Sequence, residues 1–199
     1  MTHSLRIAVA DDEPRIQQYF RRILPLLGYE VVCVAGTGQE LVDQCRVLRP
    51  DLVITDIKMP DMDGIDAASE IYREQAIPII LVSAYHEPDL IERASADPVM
   101  AYLVKPIKHS HLEPAIRLAM WRFEQFQALR KEATDLRQAL EDRKAIERAK
   151  GLLMKQARLD EDEAFSRMQK MARDRNLKMV EVAKMIQAVG QALAPQEKQ

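Results

Sequence analysis

The sequence predicts an α/β domain followed by an all-helical tail. Over residues 5–121, five short apolar runs alternate with segments of helical periodicity, which is the pattern of a parallel sheet covered by helices on both faces. From about residue 110 to residue 156 the alternation stops. Glycine is absent there until Gly151, and the stretch is rich in Ala, Leu, Glu, Lys, Arg and Gln, which favour helix.

Turn-forming residues place the elements of the first domain in order. Pro14 suits the first turn of a helix, Gly28 suits its end, and the segments 36–38 and 49–51 separate the next elements. The predicted strands cover residues 5–10, 31–35, 52–55, 77–82 and 100–104. The predicted helices between them cover residues 14–27, 39–48, 65–74 and 87–95.

Polar residues stand where four of these strands end, namely Asp11, Asp12, Asp56, Ser83 and Lys105. A carboxylate is disfavoured in the middle of a buried strand, so Asp56 is expected at the carboxyl end of its strand. Right-handed crossovers bring all such ends to one edge of a parallel sheet, where ligands bind. The sequence therefore predicts that these residues converge.

Converging acids repel each other unless a cation lies among them, and Mg²⁺ prefers hard oxygen ligands. We expect Asp12, Asp56 and the backbone carbonyl of Lys58 to bind Mg²⁺ directly, and Asp11 to bind it through water. Asp56 then becomes a nucleophile that forms an acyl phosphate. The Lys105 ammonium and the Ser83 hydroxyl are expected to contact the phosphoryl oxygens. Taken singly, Asp-Asp after a strand is also typical of a helix cap, and Lys-Pro of a loop.

The helical tail begins with a short heptad pattern. Apolar side chains recur at a and d positions from 126 to 140, which predicts a coiled-coil seam. Its members are Phe126, Leu129, Ala133, Leu136 and Leu140. The alternative is one amphipathic helix packed on its own domain. Beyond it, we predict a three-helix unit over 143–157, 161–173 and 178–192, with a capping box from Asp160 to Glu163 and a frayed end from Pro195. The apolar face of the middle helix is predicted from Ala164, Phe165, Met168 and Ala172.

Charge divides the chain. Residues 1–121 carry 12 Lys and Arg against 18 Asp and Glu, a net charge of −6, whereas residues 122–199 carry 17 against 13, a net charge of +4. Basic modules often bind nucleic acid, and a solvated helical surface is the alternative. The candidate nucleic-acid contacts lie on one helix: Arg143, Lys144, Arg148, Lys150, Gly151 and Lys155. Glycine inside a helix costs about 1 kcal/mol relative to alanine, which indicates close approach by another helix or by a nucleic acid.

Several classes of protein are disfavoured. The two cysteines, Cys33 and Cys45, match no metal-binding spacing and are expected to be reduced, one in a core strand and one on a helix face. No apolar run approaches the roughly 20 residues of a membrane span. The first residues do not resemble a signal peptide, so we expect a cytoplasmic protein without membrane partners.

The strand-end segments resemble the receiver domain of two-component response regulators. They are Ala-Asp-Asp-Glu at 10–13, Thr-Asp-Ile-Lys-Met-Pro-Asp-Met-Asp-Gly at 55–64, Val-Ser-Ala at 82–84 and Tyr-Leu-Val-Lys-Pro at 102–106. The resemblance implies a flavodoxin-like strand order of 2-1-3-4-5, a sensor histidine kinase as phosphodonor and a cis Lys105-Pro106 bond. It also implies that Ser83 and Tyr102 switch together. The family often has glycine before the fifth strand, whereas Asp97-Pro98 here predicts a reshaped loop.

The tail resembles the ANTAR domain, an RNA-binding output module of some response regulators. Matching segments begin at Arg143, Asp160 and Asn176, with Ala-Lys-Gly-Leu-Leu-Met at 149–154 at the centre. The resemblance implies a dimerising module that binds paired RNA hairpins and prevents a transcription terminator from forming. We thus expect a receiver over 5–121, a helical linker over 122–142 and an ANTAR domain over 126–187 that includes part of the linker.

The preferred function is a signalling regulator controlled by phosphorylation of Asp56, which dimerises and causes transcription antitermination through RNA hairpins. The receiver would catalyse nothing beyond its own phosphoryl transfer and dephosphorylation. Two alternatives remain at this point. The tail could form a DNA-binding helix-turn-helix from 161–192, although its last helix offers few base-reading side chains. It could also be a protein-binding helical adaptor.

Overall fold

The computed structural model describes residues 4–84 and 99–192, and the chain forms two compact units, Met1–Gln127 and Ala128–Gln199. The strands of the described residues are β1 (Arg6–Ala10), β2 (Glu30–Ala35), β3 (Leu52–Asp56), β4 (Ile79–Ser83) and β5 (Val99–Val104). The helices of this part of the chain are α1 (Pro14–Leu26), α2 (Gly38–Leu48), α3 (Gly64–Glu74), α4 (His109–Ala157), α5 (Glu161–Arg175) and α6 (Met179–Ala192).

The strands of the first unit form one parallel sheet in the order β2-β1-β3-β4-β5, which confirms the predicted flavodoxin-like order. Every neighbouring pair is parallel, with β3 between β1 and β4. Both β3 and β4 are buried along their whole length. A central strand buried on both faces needs apolar residues at consecutive positions. All residues at 52–54 and at 79–82 are apolar.

Alternate strand residues feed two apolar cores, one on each face of the sheet. The core on one face joins Ala8, Val53 and Leu81 to residues of α2 and α3, and both free cysteines lie in it. The core on the other face joins the sheet to α1 and to the first turns of α4. Its fully buried members include Ile7, Ile54, Phe20, Leu24, Leu112 and Ile116.

A few element bounds differ from those predicted. Strand β4 begins at Ile79 and not at residue 77, because Pro78 has no N–H for the ladder, although its carbonyl accepts from the Val53 N–H at 3.0 Å. The predicted helix over 87–95 and the loop at Asp97-Pro98 lie outside the described residues. Helix α4 is continuous over 49 residues, so the predicted linker and the first tail helix are one element. None of the described helices has an apolar stretch long enough to cross a bilayer.

The second unit packs the end of α4 with α5 and α6 around a small core. Its buried members are Ala149, Met168, Ala172, Val182 and Ala183. The predicted capping box is present, with the Glu163 N–H donating to Asp160 Oδ1 at 2.8 Å and the Asp160 N–H to Glu163 Oε2 at 3.0 Å. Helix α5 runs two residues past the predicted end and stops at Asn176, whose φ is 52°.

One predicted core residue of α5 is wrong. Ala164, Met168 and Ala172 are buried, but Phe165 is 41% exposed. The three buried residues are four positions apart and follow one stripe of the helix. Phe165 is displaced by about 100° from Ala164 around the axis and therefore leaves the core.

Candidate functional site

The parallel sheet brings the predicted polar residues to one edge. Asp11 follows β1, Asp56 ends β3, Ser83 ends β4 and Lys105 follows β5. Backbone hydrogen bonds tie neighbouring strand ends together: the Ile57 N–H donates to the Val82 carbonyl at 3.0 Å, and the Lys105 N–H donates to the Ser83 carbonyl at 2.8 Å. The side chains are thus fixed by the sheet itself.

The side chains of Asp11, Asp12 and Asp56 form an acidic cluster in which one oxygen from each lies within 4.8 Å of the others. Asp11 and Asp56 are buried, whereas Asp12 is exposed. The ammonium of Lys105 lies 2.9 Å from Asp11 Oδ2 and 3.4 Å from Asp56 Oδ1. The lysine, 94 positions after Asp11, therefore neutralises part of the charge on both buried acids.

Glu13, the last residue of the segment 10–13, is a further member of this site, and no role was predicted for it from the sequence. Its Oε1 lies 3.2 Å from Lys105 Nζ, and its N–H donates to Asp11 Oδ1 at 2.9 Å. The available signal was its position, because it follows Asp11 and Asp12 directly and precedes Pro14 at the start of α1. Glu13 competes with the two buried acids for the same ammonium.

Burial sets the protonation of the acids. It raises the pKa of Asp56 to about 6, with the lowering effect of Lys105 too small to cancel it and the neighbouring Asp11 adding to the rise. Burial also raises the pKa of Asp11. Burial opposes the charge on Lys105 as well, but its pairing with Asp11 and Asp56 outweighs burial and raises the pKa of the ammonium.

The cluster has the donor chemistry and the charge that a divalent cation fits. When ionised, the carboxylates of Asp11, Asp12, Glu13 and Asp56 carry four negative charges, whereas Lys105, which pairs with three of them, carries one positive charge. Besides the ion pair with Lys105, Asp11 Oδ2 has no hydrogen-bond partner among the described residues. Hard oxygens with spare lone pairs are the ligands that Mg²⁺ prefers.

The loop after Asp56 is held by Gly64. Its N–H donates to the Ile57 carbonyl at 2.8 Å, and the preceding Asp63 caps α3 by accepting from the N–H groups of Ile65 and Asp66. A Cβ at position 64 would overlap the carbonyl oxygen of Asp56. Glycine is therefore needed at position 64 for the close approach of the two backbone segments.

The predicted switch residues occupy neighbouring strands. Ser83 is 3% exposed at the end of β4, and Tyr102 in β5 is half-buried against the core on the α2–α3 face. The Lys105-Pro106 peptide bond is cis, as the resemblance implied. The switching of Ser83 and Tyr102, and the role of the Lys58 carbonyl as a ligand, stay predictions.

The candidate RNA contacts of α4 fall into two groups. Arg143, Lys144, Arg148 and Lys155 are exposed. The Lys150 side chain is 12% exposed and its ammonium lies 2.7 Å from both Glu147 and Glu161. Lys150 thus links α4 to the first residue of α5, and its charge is compensated within the chain.

Gly151 lies beside open space. A Cβ added there would meet no atom of a described residue within 4 Å, apart from the helix's own backbone and its chain neighbours. By contrast, a Cβ at Gly190 of α6 would approach Leu152 to 3.2 Å. No described helix of this chain packs on Gly151, so helix packing within the chain does not explain the glycine.

The predicted heptad seam is solvent-exposed. Leu129, Leu136 and Leu140 are 64%, 71% and 52% exposed, Ala133 is exposed and Phe126 is half-buried. The alternative, an amphipathic helix packed on its own domain, would bury these leucines, and it is therefore not what the structure shows. A row of exposed leucines at heptad positions offers an apolar surface that a second helix can cover.

The raised pKa of Asp56 predicts a pH-dependent stability in the absence of divalent cations. Between about pH 4 and pH 6 the folded protein holds a proton on Asp56 that the unfolded chain has released, so the free energy of unfolding falls as pH rises. The shift from 3.8 to about 6 corresponds to roughly 3 kcal/mol, and solvent at the open edge should reduce it to about 2 kcal/mol.

Urea denaturation in EDTA measures this effect. We expect an Asp56→Asn variant to gain about 2 kcal/mol over the unmutated protein at pH 7 and little at pH 4. The control is Asp135→Asn, which removes an exposed carboxyl of α4. Parallel pH profiles for the unmutated and Asp56→Asn proteins would refute the raised pKa.

Known protein families match both units. Residues 7–117 match the response regulator receiver domain, and residues 134–186 match the ANTAR domain. The transcriptional regulatory protein PdtaR of Mycobacterium tuberculosis is 46% identical over 181 residues, which cover 91% of this chain and 88% of that protein. The chemotaxis protein CheY of Thermotoga maritima is 33% identical over 112 residues, which cover 56% of this chain and 93% of that protein.

Solved structures resemble the first unit. A CheY-like receiver domain protein from Methanospirillum hungatei aligns with a TM-score of 0.58 and 26% identity, over 62% of this chain and 98% of that chain. The receiver domain of the putative response regulator NarL from Mycobacterium tuberculosis aligns with a TM-score of 0.56 and 26% identity, over 59% and 97%.

Proposed function

The chain belongs to the response regulator family, with a receiver domain followed by an ANTAR domain, and from that premise we propose that it is a phosphorylation-controlled RNA-binding antiterminator. The observation that carries the proposal is the pairing of two surfaces in one chain. The first unit has a buried acidic cluster around Asp56, and the second has an exposed row of cations on α4. One surface suits receipt of a phosphoryl group, and the other suits a polyanion.

In the proposed transfer, a carboxylate oxygen of Asp56 attacks the phosphorus of a phosphohistidine on a sensor histidine kinase. The new P–O bond forms as the P–N bond breaks, and the imidazole leaves with its electron pair. Lys105, already 3.4 Å from Asp56, holds positive charge beside the transferred oxygens. The Ser83 hydroxyl donates a hydrogen bond to one of them.

Mg²⁺ fits the same cluster. Asp12, Asp56 and the backbone carbonyl of Lys58 would bind it directly, and Asp11 would bind it through water. When bound, the ion supplies the positive charge that offsets the repulsion between the carboxylates and an incoming phosphoryl group. Lys105 then becomes free to leave its acidic partners for the phosphoryl oxygens.

We propose that phosphorylation favours a homodimer through the heptad seam. A change at Ser83 and Tyr102 would shift the receiver between two states, one of which pairs the exposed leucines of two copies. A dimer presents two ANTAR domains to two hairpins at once. Bivalent binding of this kind raises affinity by about 10²- to 10⁴-fold without any new contact.

The seam can be broken by charge. A Leu129→Glu/Leu136→Glu double variant is expected to stay monomeric when activated and to bind a two-hairpin RNA about 100-fold more weakly than the unmutated dimer, because four carboxylates would meet in the seam. Light scattering and gel shifts measure both effects. The matched control, Thr134→Glu/Gln138→Glu, adds the same charge at positions outside the a/d seam. A seam variant that dimerises like the control would exclude this interface.

RNA is favoured over DNA by the surface of α6. In a helix-turn-helix, this last helix would enter the major groove, but Lys184 is the only base-reading donor side chain among the exposed residues of 179–190, which are Glu181, Lys184, Met185, Ala188 and Val189. Bidentate base readers such as Arg, Asn and Gln are what the groove requires. Met185 and Val189 would instead suit a protein partner, which is the basis of the adaptor alternative.

Gel shifts separate the three functions. Beryllium fluoride with Mg²⁺ serves as an acyl-phosphate mimic. We expect the treated protein to bind paired hairpin RNA more tightly than the untreated protein does, and we expect it not to bind duplex DNA. Binding to duplex DNA alone would refute the RNA function. Binding to neither would favour the adaptor.

A further inference from the structure

An open depression lies beside Gly151 in the second unit. Arg148, Gly151, Leu152 and Lys155 of α4 line it together with Gln187 of α6, and its volume is about 410 Å³. That volume is within the range of about 300 to 1,000 Å³ that accommodates small ligands. Gly151 adds no side chain to this lining, and a Cβ at that position would meet no atom of a described residue within 4 Å apart from the helix's own backbone and its chain neighbours.

The residues around Gly151 combine a position without a side chain with cations on one flank. Arg148 and Lys155 lie three positions before and four positions after the glycine, so they occupy the same stripe of the helix. Neither forms an ion pair with a residue that the structure describes. Leu152 is half-buried and adds an apolar wall. Arg143 and Lys150 project from the other flank, where Lys150 is held by two glutamates.

Gln187 adds a fixed polar group. Its Nε2 donates to the Ala145 carbonyl at 2.6 Å, which ties the side chain of α6 to α4. In this orientation its carbonyl oxygen makes no hydrogen bond to the described residues and can accept one from a ligand. A planar ligand with an N–H at its edge and negative charge nearby matches this set of groups.

We propose that this depression, given the RNA-binding function above, receives one unpaired base from the loop of an RNA hairpin. The base lies over Gly151 and against Leu152, where the helix backbone can be approached closely. Gln187 accepts a hydrogen bond from its edge. Arg148 and Lys155 contact the phosphates on either side. Single-stranded loops, whose bases are free of pairing, are the usual target of sequence-specific RNA binding.

A Gly151→Ala variant tests the site because the substitution is expected to maintain or raise the stability of the folded protein while it weakens RNA binding. The added methyl group meets no atom of this chain and favours helix, so the melting temperature of the full-length protein should stay or rise by about 2 to 4 °C. The same methyl group would extend into the depression beside Gly151. Affinity for a short-loop hairpin should therefore fall at least about 10-fold, while affinity for the same stem without a loop should not change.

Two further comparisons test whether the depression binds a loop base. A hairpin with abasic loop nucleotides should bind the unmutated protein as weakly as the normal hairpin binds Gly151→Ala. Arg148→Gln should weaken hairpin binding about 10-fold, and Arg167→Gln, which removes the same charge from an exposed position of α5 outside the candidate contacts, should weaken it no more than about 2-fold. Equal effects of the two arginine variants would show general attraction to phosphates and overturn the base site.

The outcomes distinguish this inference from the function on which it rests. If the unmutated protein binds no hairpin, the RNA-binding function is wrong and the site falls with it. If the unmutated protein binds and Gly151→Ala binds equally well, the base site alone is wrong. If Gly151→Ala remains monomeric under conditions where the unmutated protein dimerises, the depression is a contact between two copies of the chain, and the base site is again refuted.

Discussion

Replacing Asp56 by asparagine is expected to abolish uptake of a phosphoryl group from acetyl phosphate in the presence of Mg²⁺. The amide keeps the shape of the side chain but loses the anionic oxygen that attacks phosphorus. Asp11 is also buried, but its Oδ1 accepts the Glu13 N–H and its Oδ2 is paired with Lys105 at 2.9 Å, so it does not substitute. Intact-protein mass spectrometry measures the uptake directly.

The control for this experiment is Asp61→Asn. Asp61 lies in the loop after β3 and has a φ of 68°, a conformation that asparagine also tolerates, so the loop should be preserved. This variant should take up phosphate like the unmutated protein. If Asp56→Asn still takes up a phosphoryl group and Asp61→Asn does not, the acceptor is Asp61 in the loop and not Asp56.

A Gly64→Ala variant should show the largest loss of stability among single substitutions near the site. The new Cβ would overlap the Asp56 carbonyl oxygen and would come within 3.1 Å of Thr55 Oγ1, and both atoms belong to a buried strand. Relief requires the backbone to move, so we expect a cost of about 3 kcal/mol or more. Urea denaturation gives the value.

Gly36→Ala is the matched control, since its Cβ would meet the Gln17 and Glu40 side chains at ordinary distances of 3.6 and 3.9 Å. It should change stability by less than about 0.5 kcal/mol. Because the clash at position 64 involves the backbone of Asp56 itself, any folded Gly64→Ala protein should also take up phosphate more slowly. Unchanged stability and uptake would mean that the loop adapts and that the glycine serves only the turn.

The sheet and its acidic edge were predictable because they depend on pattern and topology. Apolar runs of the right length define parallel strands, and the handedness of their connections brings Asp11, Asp56, Ser83 and Lys105 to one edge whatever the packing details. The same reasoning cannot supply the partner of each charge. That Glu13 shares Lys105 with the two buried acids depends on side-chain geometry at 3.2 Å.

The tail was harder to predict in detail. Helical propensity located α4, but composition could not show which of its cations are free, and Lys150 differs from Arg148 because Glu161 of the next helix reaches it. Phe165 was predicted as core because it is apolar, whereas the stripe set by Ala164 and Met168 excludes it. The sequence allowed two explanations for Gly151, close approach by another helix or by a nucleic acid. The open space beside Gly151 excludes the packing of another described helix of this chain.

The ion pair between Asp11 and Lys105 has a consequence for newly synthesised protein. Asp11 directly follows the first strand and Lys105 directly follows the last, so all five strands must be synthesised before the pair can form. A chain whose synthesis is unfinished has Asp56 but lacks the cation beside it. Before that point, the residues of the acidic edge carry more uncompensated negative charge than they do in the finished protein.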